Sequence, residues 1–316
     1  MSVSHGDNMK IVFMGTPDFA VPCLERLVSD GHEVVGVFTQ PDKPKGRGYE
    51  LCPPPVKVCA NDNNIPVFQP KSMRDGESLK ILEKLSPELT IVTAYGKILP
   101  PEILYLPKYN SINIHASLLP KYRGSAPIQW SILNGENETG ITSMLMDEGI
   151  DTGDMLLSQP VKITENMTAG ELHDELSKVG AEVMSKTIKS LQNGELKSVK
   201  QDNEKSCYAP MLSKELCPID FNRTAQEVHN QVRGLSPWPV ATAMLGGKKV
   251  KIHKTKLSDK AGSKPGEIVY VNGSVVVSCG DKKCIEILEL QLEGKKRMCA
   301  KDFLLGHTIS CGEYFK

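Results

Sequence analysis

The sequence predicts an α/β fold: an N-terminal doubly wound, Rossmann-like and mostly parallel sheet, followed by a second, smaller C-terminal OB-like β-barrel. Three observations carry this expectation. The chain opens with an apolar strand, an amphipathic helix and a second apolar strand, the order of a right-handed parallel βαβ unit. Its 316 residues, 40% hydrophobic and 24% charged, suffice for two domains. Its last third changes to short alternating strands punctuated by glycine, the pattern of a compact antiparallel module.

The first strand is MKIVFMG, an apolar run ending on Gly15. TPDFAVPCLERLVSDGH follows, with a Thr cap, an early proline, helical apolar spacing and a closing glycine. EVVGVFT is the next buried strand. Gly15 is the one glycine of the first turn, so the GxGxxG fingerprint is absent and a nicotinamide enzyme is disfavoured. QPDKPKGRGYELCPPPVK is a long cationic connection rich in Pro and Gly, and connections of that length are usually functional or disordered. IPVFQP, a helix near Glu77 to Leu85, the strand LTIVTAY and the strand opening SINIHAS come next. APIQWSILNG reads as a helix with Gly135 behind it, and TGITSMLMDEG as a strand. After DTGDMLLSQPVKI, a long helix from about Ala169 to Gln192 closes the first domain. The expected boundaries are 9–190 for that domain, 191–208 for a polar linker and 209–316 for the second domain. There the helix TAQEVHNQVRGL precedes LGGKKVKIHKTKL, PGEIVYVNGSVVVSC and KCIEILELQLEG, and Asn-Gly within YVNGSV marks a hairpin.

The formal net charge of +0 conceals an asymmetry. Residues 207–316 hold 17 Lys+Arg against 11 Asp+Glu, a balance of +6, which leaves −6 for the residues before them. That split fits a polyanion partner for the basic part as well as it fits ordinary surface variation. The nine cysteines are odd in number and show neither CxxC nor zinc-site spacing, so they read as reduced thiols, Cys23 packing in the first helix. No apolar run approaches the roughly 18 residues that span a bilayer, and MSVSHGDN lacks the apolar core of a signal peptide. A cytoplasmic monomer with no membrane partner is expected.

The chemistry centres on SINIHASLLPKYRG. In a strand, residues i and i+2 share a face, so Asn113 and His115 stand side by side at the strand's end. The amide offers two N–H donors, and the imidazole exchanges a proton near neutral pH. Downstream, MDEGIDTGDM holds Asp147, Asp151 and Asp154 in a glycine-broken segment beyond a strand. Ligands of open α/β sheets bind beyond the carboxyl ends of the strands. An amide, an imidazole and a carboxylate converging there suit acyl transfer, with the amide donating to a developing oxyanion and the other two handling a proton. The residues alone leave a plainer reading open: Asn-x-His is ordinarily a capping or core pair, and Asp-Thr-Gly is good turn chemistry.

FMGTPDFA, VFTQPDKPKGRG, INIHASLLPKYRGSAPIQWSILNG, TGITSMLMDEGIDTGDML and GLSPWPVA together resemble the methionyl-tRNA formyltransferase family, in one order from about residue 9 to the C-terminus. The resemblance implies transfer of a formyl group from 10-formyltetrahydrofolate to the amino group of methionyl-initiator-tRNA, with tetrahydrofolate released and no metal. It implies that Asn113, His115 and Asp151 are catalytic, that Ser117, Leu118, Leu119 and Pro120 form a folate-binding turn, and that Arg47 recognises the acceptor end of the tRNA. Lys43 and Lys45 flank Arg47 in the same cationic loop, which departs from some relatives at Tyr49 and Glu50. Lys248, Lys249 and Lys251, with Lys254 and Lys256, alternate partly along the C-terminal strands and are expected to face the tRNA, a solvated face being the alternative. Enzymes that formylate a sugar nucleotide or glycinamide ribonucleotide share the chemistry but need no basic C-terminal barrel. An RNA-binding module on an inactive scaffold would have no use for an intact trio. His5, His32, His173, His229, His253 and His307 are expected in surface or capping roles, and Trp130 and Trp238 to pack.

Overall fold

The computed structural model describes residues 8–45 and 50–316. In chain order its elements are β1 (Lys10–Gly15), α1 (Val21–Ser29), β2 (Glu33–Phe38), β3 (Lys43–Lys45), β4 (Glu50–Cys52), α2 (Pro55–Asp62), β5 (Val67–Phe68), α3 (Glu77–Leu85), β6 (Leu89–Thr93), α4 (Pro101–Leu104), β7 (Ser111–His115), β8 (Arg123–Gly124) and α5 (Pro127–Leu133). They continue as β9 (Glu138–Leu145), β10 (Met155–Lys162), α6 (Ala169–Gln192), β11 (Tyr208–Ala209), α7 (Ala225–Gly234), β12 (Ala241–Leu245), β13 (Lys248–Ser258), β14 (Ile268–Val271), β15 (Val275–Ser278), β16 (Cys284–Leu292), β17 (Met298–Cys299) and α8 (Ala300–Gly306). Two compact units result, the first from residues up to 124 with 140–161 and 173–208, the second from 125–139, 162–172 and 209–316. Among the described residues, no helix is long and apolar enough to cross a membrane.

The first unit is built on a seven-stranded sheet of order β10-β9-β7-β6-β1-β2-β5. The pairs β1–β2, β1–β6, β2–β5 and β6–β7 are parallel, and β9 runs antiparallel to β7. β1 lies inside the sheet with Ile11, Val12, Phe13 and Met14 fully buried, which is why it reads as an unbroken apolar run rather than an alternating one. β1 pairs on one side with β2 and on the other with β6, a reversal of strand order of the kind beside which open α/β sheets bind ligands at the carboxyl ends of their strands. Thr16 does not cap the first helix. Asp18–Ala20 forms a single 3-10 turn, α1 begins without a side-chain cap, and the Thr16 hydroxyl donates instead to the Tyr95 carbonyl at 3.0 Å, tying the ends of β1 and β6 together. The long cationic connection carries the antiparallel pair β3–β4. Its base is fixed by Asp42, whose carboxylate accepts from Lys57 Nζ (2.8 Å) and Gln69 Nε2 (2.7 Å). Residues 191–208, expected as a linker, run along this unit, where Val199 exchanges backbone hydrogen bonds of 2.9 and 2.8 Å with Met155 of β10.

The second unit holds an antiparallel sheet of order β12-β13-β16-β15-β14, with β17 paired to β16. Its last residues close the sheet: Leu245 at the end of β12 bridges to Phe315, and Glu267 ahead of β14 bridges to Tyr314. Both edges are thereby occupied, which removes the open strand edges of a flat sheet. α7 begins at a reciprocal capping box, Thr224 Oγ1 accepting from the Glu227 amide while the Glu227 carboxylate accepts from the Thr224 amide. The core combines Val228 and Val232 of α7 with Val250, Ile252, Val277, Ile285 and Ile287 of the sheet. Trp130 of α5 packs against this core and donates its indole N–H to the Pro210 carbonyl, as expected of a packed tryptophan. Trp238 does not pack: in the proline-bounded turn between α7 and β12 it is 60% exposed. His229, expected at the surface or in a cap, is buried, with Nδ1 2.8 Å from Thr255 Oγ1 and Nε2 3.0 Å from the Glu165 carbonyl oxygen.

Candidate active site

β7 lies between the parallel β6 and the antiparallel β9, with Asn113 beside Val92 and Met144 and His115 beside Thr142. The alternation that makes Ile112 and Ile114 core residues places Asn113 and His115 together on one face, His115 being 6% exposed. The carboxylate comes from the turn between β9 and β10. Asp147 organises that turn, accepting from the Gly149 amide at 3.1 Å and the Thr152 hydroxyl at 2.7 Å. Gly153 passes so close to β9 that a Cβ there would lie 1.8 Å from the Leu145 carbonyl oxygen, a contact no side chain survives. Between these two constraints Asp151 adopts a left-handed φ of +54°, which brings its side chain back toward β7.

The three side chains meet. Asn113 Nδ2 is 3.3 Å from Asp151 Oδ1, and His115 Nδ1 is 3.6 Å from Asp151 Oδ2. The Gly124 amide donates to Asp151 Oδ2 at 2.9 Å, fixing the carboxylate from its other side. His115 Nε2 lies 2.9 Å from the Tyr122 carbonyl oxygen. A carbonyl only accepts, so Nε2 carries the proton, and Nδ1, the nitrogen facing Asp151, is the one that can gain or lose one. Asn113 Nδ2 has a second hydrogen besides the one directed at Asp151, and the residue is half-buried.

The turn Ser117–Pro120 follows directly. Ser117 and Leu119 are buried and serve the turn itself: the Ser117 hydroxyl donates to the Lys121 carbonyl at 2.6 Å, and the Leu119 amide donates to Thr142 Oγ1 at 3.2 Å. Leu118 and Pro120 are half-exposed. Among the cationic residues, Lys43 is exposed on β3, Lys45 ends that strand, and Arg47 lies outside the described residues. On β13, Lys248, Lys249 and Lys251 are exposed, while Val250 and Ile252 between and beyond them are buried. Lys256 pairs with Glu286 at 3.1 Å and Lys254 approaches Glu171 at 3.9 Å, whereas the first three lysines stand in no ion pair among the described residues. A cavity of about 290 Å³ beside the start of β7, lined by Tyr109, Asn110, Ile112 and Leu191, holds none of the predicted residues. Burial pushes the Cys23 thiol up to about 12, in keeping with a packing role. Among the described residues, no group of three or more His, Cys, Asp or Glu side chains is placed to hold a metal ion.

Sequence reasoning missed Tyr122, Arg123, Gly124 and Gln201, which hold the trio in place. The first three lie inside the quoted string SINIHASLLPKYRG, yet two of them act through backbone atoms, which no residue letter announces.

Two family models match the chain, formyl transferase over residues 9–188 and the formyl transferase C-terminal domain over 211–308. The methionyl-tRNA formyltransferase of Alkaliphilus oremlandii (strain OhILAs) is 50% identical over 305 residues, covering 96% of this chain and 98% of that protein. That of Clostridioides difficile (strain 630) is 48% identical over 305 residues, covering 96% and 99%. Among solved structures, the sugar 3N-formyl transferase WlaRD, determined with dTDP and 5-N-formyl-THF, superposes with a TM-score of 0.68 at 25% identity, over 91% of this chain and 99% of that one. HypX from Aquifex aeolicus in complex with tetrahydrofolic acid matches in fold, with a TM-score of 0.66 at 16% identity over 98% of this chain and 51% of that one. With both formyl transferase domains in order and half its residues shared along almost its whole length, the chain belongs to the methionyl-tRNA formyltransferase family.

Proposed function

We propose that the chain carries out its family's reaction, formylation of the methionyl amino group on initiator tRNA by 10-formyltetrahydrofolate, at Asn113, His115 and Asp151. The observation that carries this assignment is the convergence of an amide, an imidazole and a carboxylate at the end of β7, the amide 3.3 Å and the imidazole 3.6 Å from the carboxylate. The folate, when bound, supplies an electrophilic formyl carbon on N10. The residues present fit such a group, since β7 carries a half-buried amide donor and the turn that follows it carries half-exposed apolar side chains at Leu118 and Pro120.

Asn113 Nδ2 donates to the formyl oxygen as negative charge gathers there, the interaction that most lowers barriers of this kind. His115 is tethered through Nε2, so its Nδ1 holds the mobile proton next to the reacting atoms. Asp151 orients that ring edge, and a proton leaves the attacking amine and reaches N10 by way of this pair as the new C–N bond forms and the old one breaks. The segment 9–190 is read as the catalytic, folate-binding domain and 209–316 as the tRNA-binding one, with Lys43, Lys45 and Arg47 at the acceptor end and Lys248, Lys249 and Lys251 on the tRNA body. The same reading has the chain act as a cytoplasmic monomer, one chain supplying both domains.

The test is formylation of methionyl-initiator-tRNA by the parent chain and by Asp151→Asn. The parent forms formylmethionyl-tRNA, and the variant turns over about a hundredfold more slowly while still binding a tetrahydrofolate analogue. A variant as fast as the parent would return Asp151 to the role of a turn residue.

A further inference from the structure

The segment after α6 does more than join elements. Gln201 Nε2 has two hydrogens, and both are committed: one goes to the Asp151 carbonyl at 2.8 Å and the other to the Gly153 carbonyl at 2.7 Å. The same side chain accepts at Oε1 from Arg123 Nε at 3.0 Å. Arg123 reaches on to the same segment, its Nη2 donating to Asn203 Oδ1 at 2.8 Å and its backbone amide to the Cys207 carbonyl at 3.0 Å. Residues 122–124 thus divide three tasks among neighbours. The Tyr122 carbonyl holds His115, Arg123 holds Gln201 of the segment after α6, and the Gly124 amide holds the Asp151 carboxylate.

A left-handed φ at a non-glycine residue costs energy and persists only where its surroundings over-determine it. At Asp151 those surroundings are Gln201 on the backbone side and Gly124 on the carboxylate side, linked to each other through Arg123. We propose that Gln201 is a positioning residue for formyl transfer, holding Asp151 in the conformation that presents its carboxylate to His115. The inference rests on the reading of Asp151 given above. Glycine-bounded turns relax when a clamp is lost, and a displacement of even an ångström at a reacting group can cost on the order of a hundredfold in rate.

Steady-state kinetics on the parent, Gln201→Ala, Gln201→Glu, Asp151→Asn and the double variant Asp151→Asn/Gln201→Ala test this. Gln201→Glu keeps the shape and the acceptor for Arg123 but removes both donors to the turn, so it separates the clamp from bulk and folding. Both Gln201 variants should lose about tenfold or more in kcat, with KM for 10-formyltetrahydrofolate and for methionyl-tRNA nearly unchanged. On the Asp151→Asn background, removing Gln201 should change kcat by no more than about twofold, because the group it positions no longer works. Parent-like kcat in Gln201→Glu, or a full multiplicative loss in the double variant, would overturn the proposal. Parent-like turnover by Asp151→Asn alone would instead overturn the reading on which it rests.

Discussion

At the scale of single residues, burial decides what a titratable group contributes. His229 is held between the Thr255 hydroxyl and the Glu165 carbonyl, and burial, seconded by the charge of Arg233 and opposed by the Glu165 carbonyl, keeps its pKa below the usual histidine range. Below the ordinary value of about 6.5, the unfolded chain binds a proton that the folded chain refuses, so stability present above that pH is lost as pH falls toward the depressed folded value. His253 is depressed by burial as well and acts in the same direction. Both tryptophans, Trp130 and Trp238, lie in the second unit, so their fluorescence follows its unfolding. His229→Gln should flatten the pH dependence of that transition below pH 6.5, by at most ~1.4 kcal/mol per pH unit. An unaltered dependence would show that His229 is not refusing the proton. The pairing of Asn113 with His115 on one face was legible at this scale because the two-residue period of a strand fixes which side chains are neighbours. The Tyr122 carbonyl and the Gly124 amide were not, since backbone groups leave no mark in the sequence. Trp238 was misread because aromatic residues usually pack, while the prolines on either side confine this one to an exposed turn.

At the scale of elements, the periodicity signals served well, while the Thr cap read for the first helix did not hold. The helix read near Glu77 to Leu85 and the one from Ala169 to Gln192 both stand where the apolar spacing put them. The hairpin in YVNGSV turns through Gly273 at φ +66°. The β3–β4 pair was not read, because its Pro and Gly content resembles that of an irregular loop. Closure of the C-terminal sheet by Tyr314 and Phe315 was equally hidden, since the partners lie far away in sequence. β13 carries the testable consequence at this scale. Val250 and Ile252 face the core, and exposed Lys249 and Lys251, in no ion pair among the described residues, alternate with them, with Lys248 adjacent. If these cations neutralise tRNA phosphates, replacing the three with Gln should weaken binding and lower the salt slope by up to about one per lysine in contact, leaving kcat at saturation close to the parent's. An unchanged slope across a salt series would make this a solvated face.

For the whole molecule, the two-domain plan was legible from the change of pattern in the last third, but the ownership of segments was not. Residues 125–139 and 162–172 belong to the second unit although they fall between strands of the first, because Trp130 and Leu133 of α5 pack against the core that α7 shares. Chain order alone does not say which sheet an amphipathic helix will cover. In the proposed reaction a formyl oxygen takes on charge next to Asn113, with His115 and Asp151 managing the proton. The most direct measurement is the single-turnover rate of formyl transfer from 10-formyltetrahydrofolate to methionyl-tRNA by Asn113→Ala, with both substrates saturating. Loss of this donor should slow transfer by about 100- to 1,000-fold while the dissociation constants of both substrates stay near the parent's. A rate within a few-fold of the parent's would contradict the account.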